Sequence, residues 1–250
     1  MQTLTDTSDT LLMQSPDMTG LKLQLARALK AKHDRSRTNK LRDYQPYPKQ
    51  REFHAAGAVH GERLFMAGNQ LGKTWAGGFE AAIHLTGRYP DWWEGAVFER
   101  APKWWVAGVT GESTRDNPQR ILVGPPQIKD EWGTGSIPKE CLVDFTSSRG
   151  TPDALDSIVV RHGGGADIQA QHSIVLFKAY EKGREKWQGD TVDGVWFDEE
   201  PPMEIYSEGR TRTNKGQLGV FNIITFTPLL GMSEVVRLFL ADSEVEQMTK

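Results

Sequence analysis

A chain of 250 residues, 38% of them hydrophobic and with a formal net charge of only −3, can bury the core of one large domain or of one domain with a small appendage, which excludes an intrinsically disordered protein. A single cysteine, Cys141, excludes an internal disulfide and fits a reducing compartment. No apolar run nears the ~20 residues needed to span a bilayer, and the opening "MQTLTDTSDT" lacks the charged and apolar regions of a signal peptide, so the expectation is a soluble, cytosolic protein.

Residues 1–19, rich in Thr, Ser and Asp, read as a flexible lead-in. A helix is expected over 20–33, where Leu21, Leu25 and Leu29 recur at i, i+4 and i+8 as one apolar stripe. A polar connector then runs to Asp43. Ten of the 30 Lys/Arg but only two of the 33 Asp/Glu fall within 22–51, so a basic segment precedes an acidic body. Those charges are either the solvated face of the helix or a surface for DNA phosphates or an acidic partner. "YQPYPKQ", 44–50, is a proline-punctuated loop, and 49–60 reads as a short helix.

"ERLFMAG", 62–68, reads as a strand, 72–87 as a helix, and "KWWVAGV", 103–109, as a buried strand. A helix over 112–122 is interrupted or started near Pro118, and 124–153, rich in Gly, Pro and Ser, receives no assignment. "DSIVVRH", 156–162, and "SIVLFKAY", 173–180, are two strands expected to form a hairpin through "GGGAD". A strand over 192–200, a helix over 202–213, a strand over 219–229 and a helix over 233–242 with Ser233 as N-cap complete the pattern. Strands alternating with helices predict an α/β domain with a mainly parallel sheet flanked by helices.

Two stretches carry chemistry. The first is Ala67-Gly68-Asn69-Gln70-Leu71-Gly72-Lys73-Thr74, which follows G-x-x-x-x-G-K-[ST] with Ala in the first position. It lies between a predicted strand and a predicted helix. There, successive backbone N–H groups and the helix N-terminus can wrap a β-phosphate. Gly72 allows close approach, Lys73 can bridge the β- and γ-phosphates of ATP, and the Thr74 hydroxyl can bind Mg²⁺. The second is "GVWFDEE", 194–200, an apolar strand that delivers acids at its C-terminal end, the edge where open α/β sheets bind ligands. Asp198 is the candidate Mg²⁺ residue and Glu199 the candidate general base that activates water. Glu200 is read as solvated or as a cap for the helix that follows. Adjacent Asp and Glu favour the ATPase class with an extra strand between the two motifs, and the interval from Lys73 to Asp198 has room for it.

Together, "YPKQ" at 47–50, "MAGNQLGKTWAG" at 66–77, "GVWFDEEPP" at 194–202 and "TFTPLLG" at 225–231 resemble the N-terminal ATPase domain of the large terminase subunit of tailed double-stranded DNA phages, close to the headful-packaging, P22-like type. The resemblance covers roughly 43–232. It implies an ASCE-type P-loop ATPase that moves double-stranded DNA into a procapsid, with a portal protein and a small terminase subunit as partners and a homo-oligomeric ring on the procapsid. The isolated domain can then be a monomer. The expected location is the host cytoplasm, transiently on the procapsid and not in the mature virion, with no membrane partner. The resemblance also implies an adenine site in which Tyr47 stacks on the base and Gln50 pairs with its edge. It implies a coupling motif in Thr225, Thr227 and Pro228.

Two departures from that family stand out. Many terminases carry an arginine inside the P-loop, where this chain has Asn69, Gln70 and Leu71. Some draw the arginine from a neighbouring subunit, just upstream of the acids. That makes Arg184 the first candidate for an arginine finger, with Arg212 and Arg115 behind it. The family's C-terminal nuclease domain has no counterpart after Thr227, so the expectation is the ATPase half alone: a terminus and basic helix over 1–42, the ATPase domain over 43–232, and a helix over 233–250 leading toward an absent nuclease. The readings left open are a helicase-like translocase and a nucleotide-gated docking module with little hydrolysis.

Overall fold

A computed structural model describes residues 18–163, 171–228, 231 and 233–248, without side chains for 18, 19 and 242–248. The predicted lead-in to residue 17, most of the "GGGAD" connection, Leu229 and Leu230 of "TFTPLLG", and Met232 lie outside the described residues. The chain divides after Ser36 into two units. The first contains most of helix α1 (Met18–Thr38), which runs five residues past its expected end because "DRSRT" holds neither Gly nor Pro to stop it. Leu21, Leu25 and Leu29 are each more than half exposed.

The second unit holds a seven-stranded sheet. In chain order its elements are α2 (Pro48–Ala56), β1 (Glu62–Met66), α3 (Lys73–Thr86), β2 (Lys103–Gly108), α4 (Gly111–Thr114), α5 (Arg120–Val123), β3 (Leu142–Ser147), β4 (Leu155–His162), β5 (Gln171–Ala179), β6 (Gly194–Asp198), α6 (Met203–Thr213), β7 (Asn222–Phe226) and α7 (Glu234–Met248). A π-helical turn, Arg115–Gln119, joins α4 to α5 around Pro118, whose missing N–H cannot continue an α-helical ladder. Ser233 accepts from the Val236 N–H at 3.2 Å and so caps α7.

The strand order is β1-β7-β6-β2-β5-β4-β3. Pairing is parallel from β1 to β5 and antiparallel across β5, β4 and β3. The α/β reading and the antiparallel β4–β5 pair agree with the expectation from sequence. Strand β3 was not expected: five of its six residues are exposed, so it has no apolar run to announce it, and it forms one edge of the sheet. The extra strand is also supplied differently from the expectation. It is β7, from beyond Asp198, that pairs with both β1 and β6, whereas β2, from between the two motifs, lies on the far side of β6. "NIITF" is buried at all five positions, which suits a central strand covered on both faces.

Side chains alternate between two cores. Trp104, Val106, Trp196 and Ile223 face one layer, with Phe79, Ala82 and Ile83 of α3 and Phe53 of α2. Trp105, Ala107, Val195, Phe197, Ile224 and Phe226 face the other, with Ile205 and Tyr206 of α6 and Val235 and Val236 of α7. This period of two along strands covered on both faces makes a three-layer α/β/α unit. The C-terminal ends of β1, β7 and β6 therefore lie side by side, and the two chemistry-bearing loops leave from them.

Candidate active site

The loop between β1 and α3 turns on two left-handed residues. Gln70 has φ 60° and Gly72, the residue before α3, has φ 77°. The positive φ favours glycine at 72, and a Cβ there would also lie 2.8 Å from Gln50 Nε2 and push on that amide. Lys73, almost buried, donates from Nζ to the Gly68 carbonyl at 2.7 Å, which folds its ammonium into the concave side of the loop. Ala67 is tied to β7 through its N–H and the Phe226 carbonyl at 3.4 Å.

Asp198 ends β6 at 2% exposure. Burial pushes its carboxyl up to about 7, against the hydrogen bonds from Thr225 and Thr74 that favour ionisation, with Glu199 adding to the upward shift and Lys73 opposing it. Thr74 and Asp198 thus meet directly, and Thr225 Oγ1 donates to Asp198 Oδ1 at 2.9 Å. Thr225 in turn accepts from Trp196 Nε1 at 2.8 Å. The Trp196 indole packs under α3, where a Cβ on Gly77 would come within 2.5 Å of Nε1. One buried chain, Trp196–Thr225–Asp198–Thr74, therefore runs from β6 through β7 to the start of α3.

A hydroxyl and a buried carboxylate in contact are hard oxygen donors suited to Mg²⁺. Among the described residues no cluster of three or more His, Cys, Asp or Glu could hold a metal.

Glu199 follows at φ 66°, an unusual backbone for a non-glycine residue, with its N–H donating to the Thr225 carbonyl at 2.9 Å. Glu199 is half-buried at the same sheet edge as the loop. Thr227 Oγ1 donates to Asn69 Oδ1 at 2.9 Å, so the segment ending in Pro228 touches the phosphate loop at the first of the three residues 69–71. Gln50 is 1% exposed: its Oε1 accepts from the Tyr47 N–H at 2.8 Å and its Nε2 donates to the Gly72 carbonyl at 2.9 Å. Its amide thus both caps α2 and grips the loop, while Tyr47 stands 69% exposed beside it.

The candidate arginines are engaged within the chain. Arg184 donates from Nε to Glu208 Oε2 at 2.8 Å, and Arg212 takes the other oxygen of the same carboxylate, Nε to Oε1 at 2.9 Å. Glu208 is 3% exposed, and although burial opposes its ionisation, the two arginines hold its carboxyl below the usual range. Arg115 is forked onto Asp116 at 2.8 and 2.9 Å and bonded to the Pro152 carbonyl at 3.0 Å, which commits it away from the phosphate loop.

Sequence reading missed the supports under this site. Glu80 of α3 is fully buried and pairs with Arg63 Nη2 at 2.5 Å and His54 Nδ1 at 2.7 Å, and His54 Nε2 meets Tyr44 O–H at 3.0 Å. Burial works against its charge, yet the Arg63 guanidinium and the hydrogen bond from His54 hold the Glu80 carboxyl well below the usual range. The network ties the phosphate-loop helix to α2 and β1. An acid among Phe79, Ala81, Ala82 and Ile83 was the available signal.

A strand, a glycine-turned loop and a helix carrying Lys-Thr, with Asp-Glu two strands away across an intervening strand, define the P-loop nucleoside triphosphatase class. A family profile described as "Terminase large subunit, T4likevirus-type, N-terminal" matches residues 64–250, and the chain belongs to that family. It is 45% identical over 237 residues to the large terminase subunit of Salmonella phage P22, covering 90% of this chain and 47% of that one. It is 37% identical over 145 residues to the large terminase subunit of Enterobacteria phage LP7, covering 57% and 29%. The chain therefore spans less than half the length of these relatives. Among solved structures, a mutant ATPase domain of the Thermus phage P74-26 large terminase is similar at TM-score 0.49 and 20% identity, covering 74% of this chain and 67% of that one. The large terminase of the thermophilic bacteriophage D6E in complex with ADP is similar at TM-score 0.41 and 14% identity, covering 73% and 38%.

Proposed function

We propose that this chain is the ATP-hydrolysing motor domain of a terminase and that hydrolysis drives double-stranded DNA into a procapsid through a portal. The buried Trp196–Thr225–Asp198–Thr74 chain carries the reading. It joins the acid-bearing strand, the coupling strand and the phosphate-loop helix at one sheet edge, so a change at the phosphates is felt by all three.

In this reading the backbone N–H groups of 68–74 and the Lys73 ammonium hold the β- and γ-phosphates, with Gly72 letting them approach. Thr74 and Asp198 would hold Mg²⁺, which when bound offsets the charge of the phosphates. Glu199 accepts a proton from the water that attacks the γ-phosphorus in line. Lys73 and Arg184, the latter reaching the site of a neighbouring subunit in a ring, oppose the charge that develops on the equatorial oxygens. Loss of the γ-phosphate changes what Asn69 faces, and its bond to Thr227 passes that change to the segment ending in Pro228. Tyr47 offers an exposed ring for the adenine base. The small terminase subunit and the portal are the proposed partners, in the host cytoplasm and on the procapsid during packaging.

The test is phosphate release from Mg²⁺–ATP by the wild type and by Glu199→Ala. Removal of a general base lowers the rate by roughly 10²–10⁴-fold, and equal rates would remove Glu199 from the mechanism.

A further inference from the structure

Tyr180 is unused by the mechanism above, yet it touches its centre. The phenol is 5% exposed, and its O–H points at two backbone carbonyls at once, Asp198 at 3.0 Å and Glu199 at 3.0 Å. These are the carbonyls on either side of the Glu199 Cα, the residue held at φ 66°. A left-handed glutamate persists only where its surroundings over-determine it. Two bonds do so here: the Glu199 N–H to Thr225 on β7, and the shared Tyr180 hydrogen on the carbonyls.

The same residue begins the segment that carries Arg184. Tyr180–Lys182 and Arg184–Trp187 are two consecutive 3₁₀ turns. The segment is pinned at three places, two of them on β6, the strand that ends in the acids. Tyr180 bonds to the end of β6, Arg184 bonds to Glu208 of α6, and Trp187 stacks on Phe197 of β6 at 5.7 Å and 8°. A shift of the Glu199 turn is then a shift of the arginine segment of the same subunit.

Resting on Glu199 as the base, we propose that Tyr180 is a positioning residue. Its hydroxyl sets the Asp198–Glu199 turn, aims the Glu199 carboxylate at the attacking water, and joins that turn to the Arg184 segment. Its hydroxyl is taken up by the two carbonyls and the nucleotide is assigned to the loop of residues 68–74, so the role is read in the chemical step and not in nucleotide affinity.

The experiment compares wild type, Tyr180→Phe and Glu199→Gln in single-turnover ATP hydrolysis with enzyme in excess. Nucleotide Kd is taken from titration with a fluorescent ATP analogue, and rates are referred to the nucleotide-binding fraction so that partial unfolding cannot imitate the effect. Tyr180→Phe keeps the ring and removes one oxygen. A misplacement on the order of 1 Å costs up to about 10²-fold, so the expected result is a rate roughly 10–100-fold slower with Kd within about twofold of wild type. Incorporating para-aminophenylalanine at 180, which keeps an N–H donor in the same place, restores most of the rate. A wild-type rate in Tyr180→Phe while Glu199→Gln is slow overturns the positioning role alone. A wild-type rate in Glu199→Gln overturns the underlying reading. A Tyr180→Phe protein whose Kd weakens in step with its rate, or one not rescued by the amino side chain, also overturns the positioning role.

Discussion

Thr225→Val is the most direct test of the buried chain at the sheet edge. The substitution keeps the shape and removes the one oxygen that accepts from Trp196 Nε1 and donates to Asp198 Oδ1. Trp196, Asp198 and Thr225 are 0%, 2% and 1% exposed, so no water replaces either bond. An orphaned buried donor costs about 1–3 kcal/mol, and a lost hydrogen bond to a charged group about 1.5–3 kcal/mol. Together they predict a loss of roughly 2.5–6 kcal/mol against a total stability on the order of 5–15 kcal/mol. At about 2–4 °C per kcal/mol for a unit of this size, Tm falls by roughly 5–24 °C. Thr225→Ser is the control: it keeps the oxygen and gives up one methyl, at about 1 kcal/mol. Thermal melts by circular dichroism with the three proteins side by side decide the matter. If Thr225→Val melts with Thr225→Ser, the hydroxyl is not the link that the geometry makes it. Phosphate release should also be lower in the valine variant and close to wild type in the serine variant.

Other outcomes follow from particular contacts. Lys73→Ala should lose binding of a fluorescent nucleotide, and unchanged binding would refute the phosphate cradle. Gly77→Ala sets about 1 kcal/mol of helix propensity against about 1–3 kcal/mol of overpacking, because the new Cβ meets the rigid Trp196 indole at 2.5 Å. Urea unfolding should show a net loss, and a stabilised variant would contradict the close α3–β6 approach. His84 is held neutral, chiefly by burial, with its pKa below 6.5, so the unfolded chain binds a proton there that the folded chain does not. Its contribution is therefore lost as pH falls below about 6.5. Glu80, depressed below 4.5, adds a second loss at lower pH. His84→Leu should flatten the drop in urea midpoint between pH 7.5 and 5.5, and an unchanged drop would assign it elsewhere. Under ring-forming conditions, mixing inactive Glu199→Ala with inactive Arg184→Ala subunits should regain phosphate release. No rescue would remove Arg184 from a role in trans.

The two chemistry-bearing stretches were legible because each is local. A glycine that must take a positive φ, a lysine and a threonine at a helix start announce a phosphate loop within eight residues. Four apolar residues running into Asp198 and Glu199 announce a strand that ends in chemistry. The alternation of apolar strands with helices likewise carried the α/β class, and Pro118 the break in its helix. What the residues leave open is which strands become neighbours. Nothing near β7 says that it slots between β1 and β6, because that depends on which surfaces bury best once every strand competes. Nor could β3 be read, since an exposed edge strand needs no apolar pattern. The polar contacts that hold the site are likewise non-local: Thr225 to Asp198 spans 27 positions, Thr227 to Asn69 spans 158, and Arg63 to Glu80 joins a strand to a helix. Tyr180 read as the last residue of an apolar strand. Only packing turned its hydroxyl onto two carbonyls 18 and 19 residues further along, because a buried O–H must find an acceptor and the end of β6 is the one within reach.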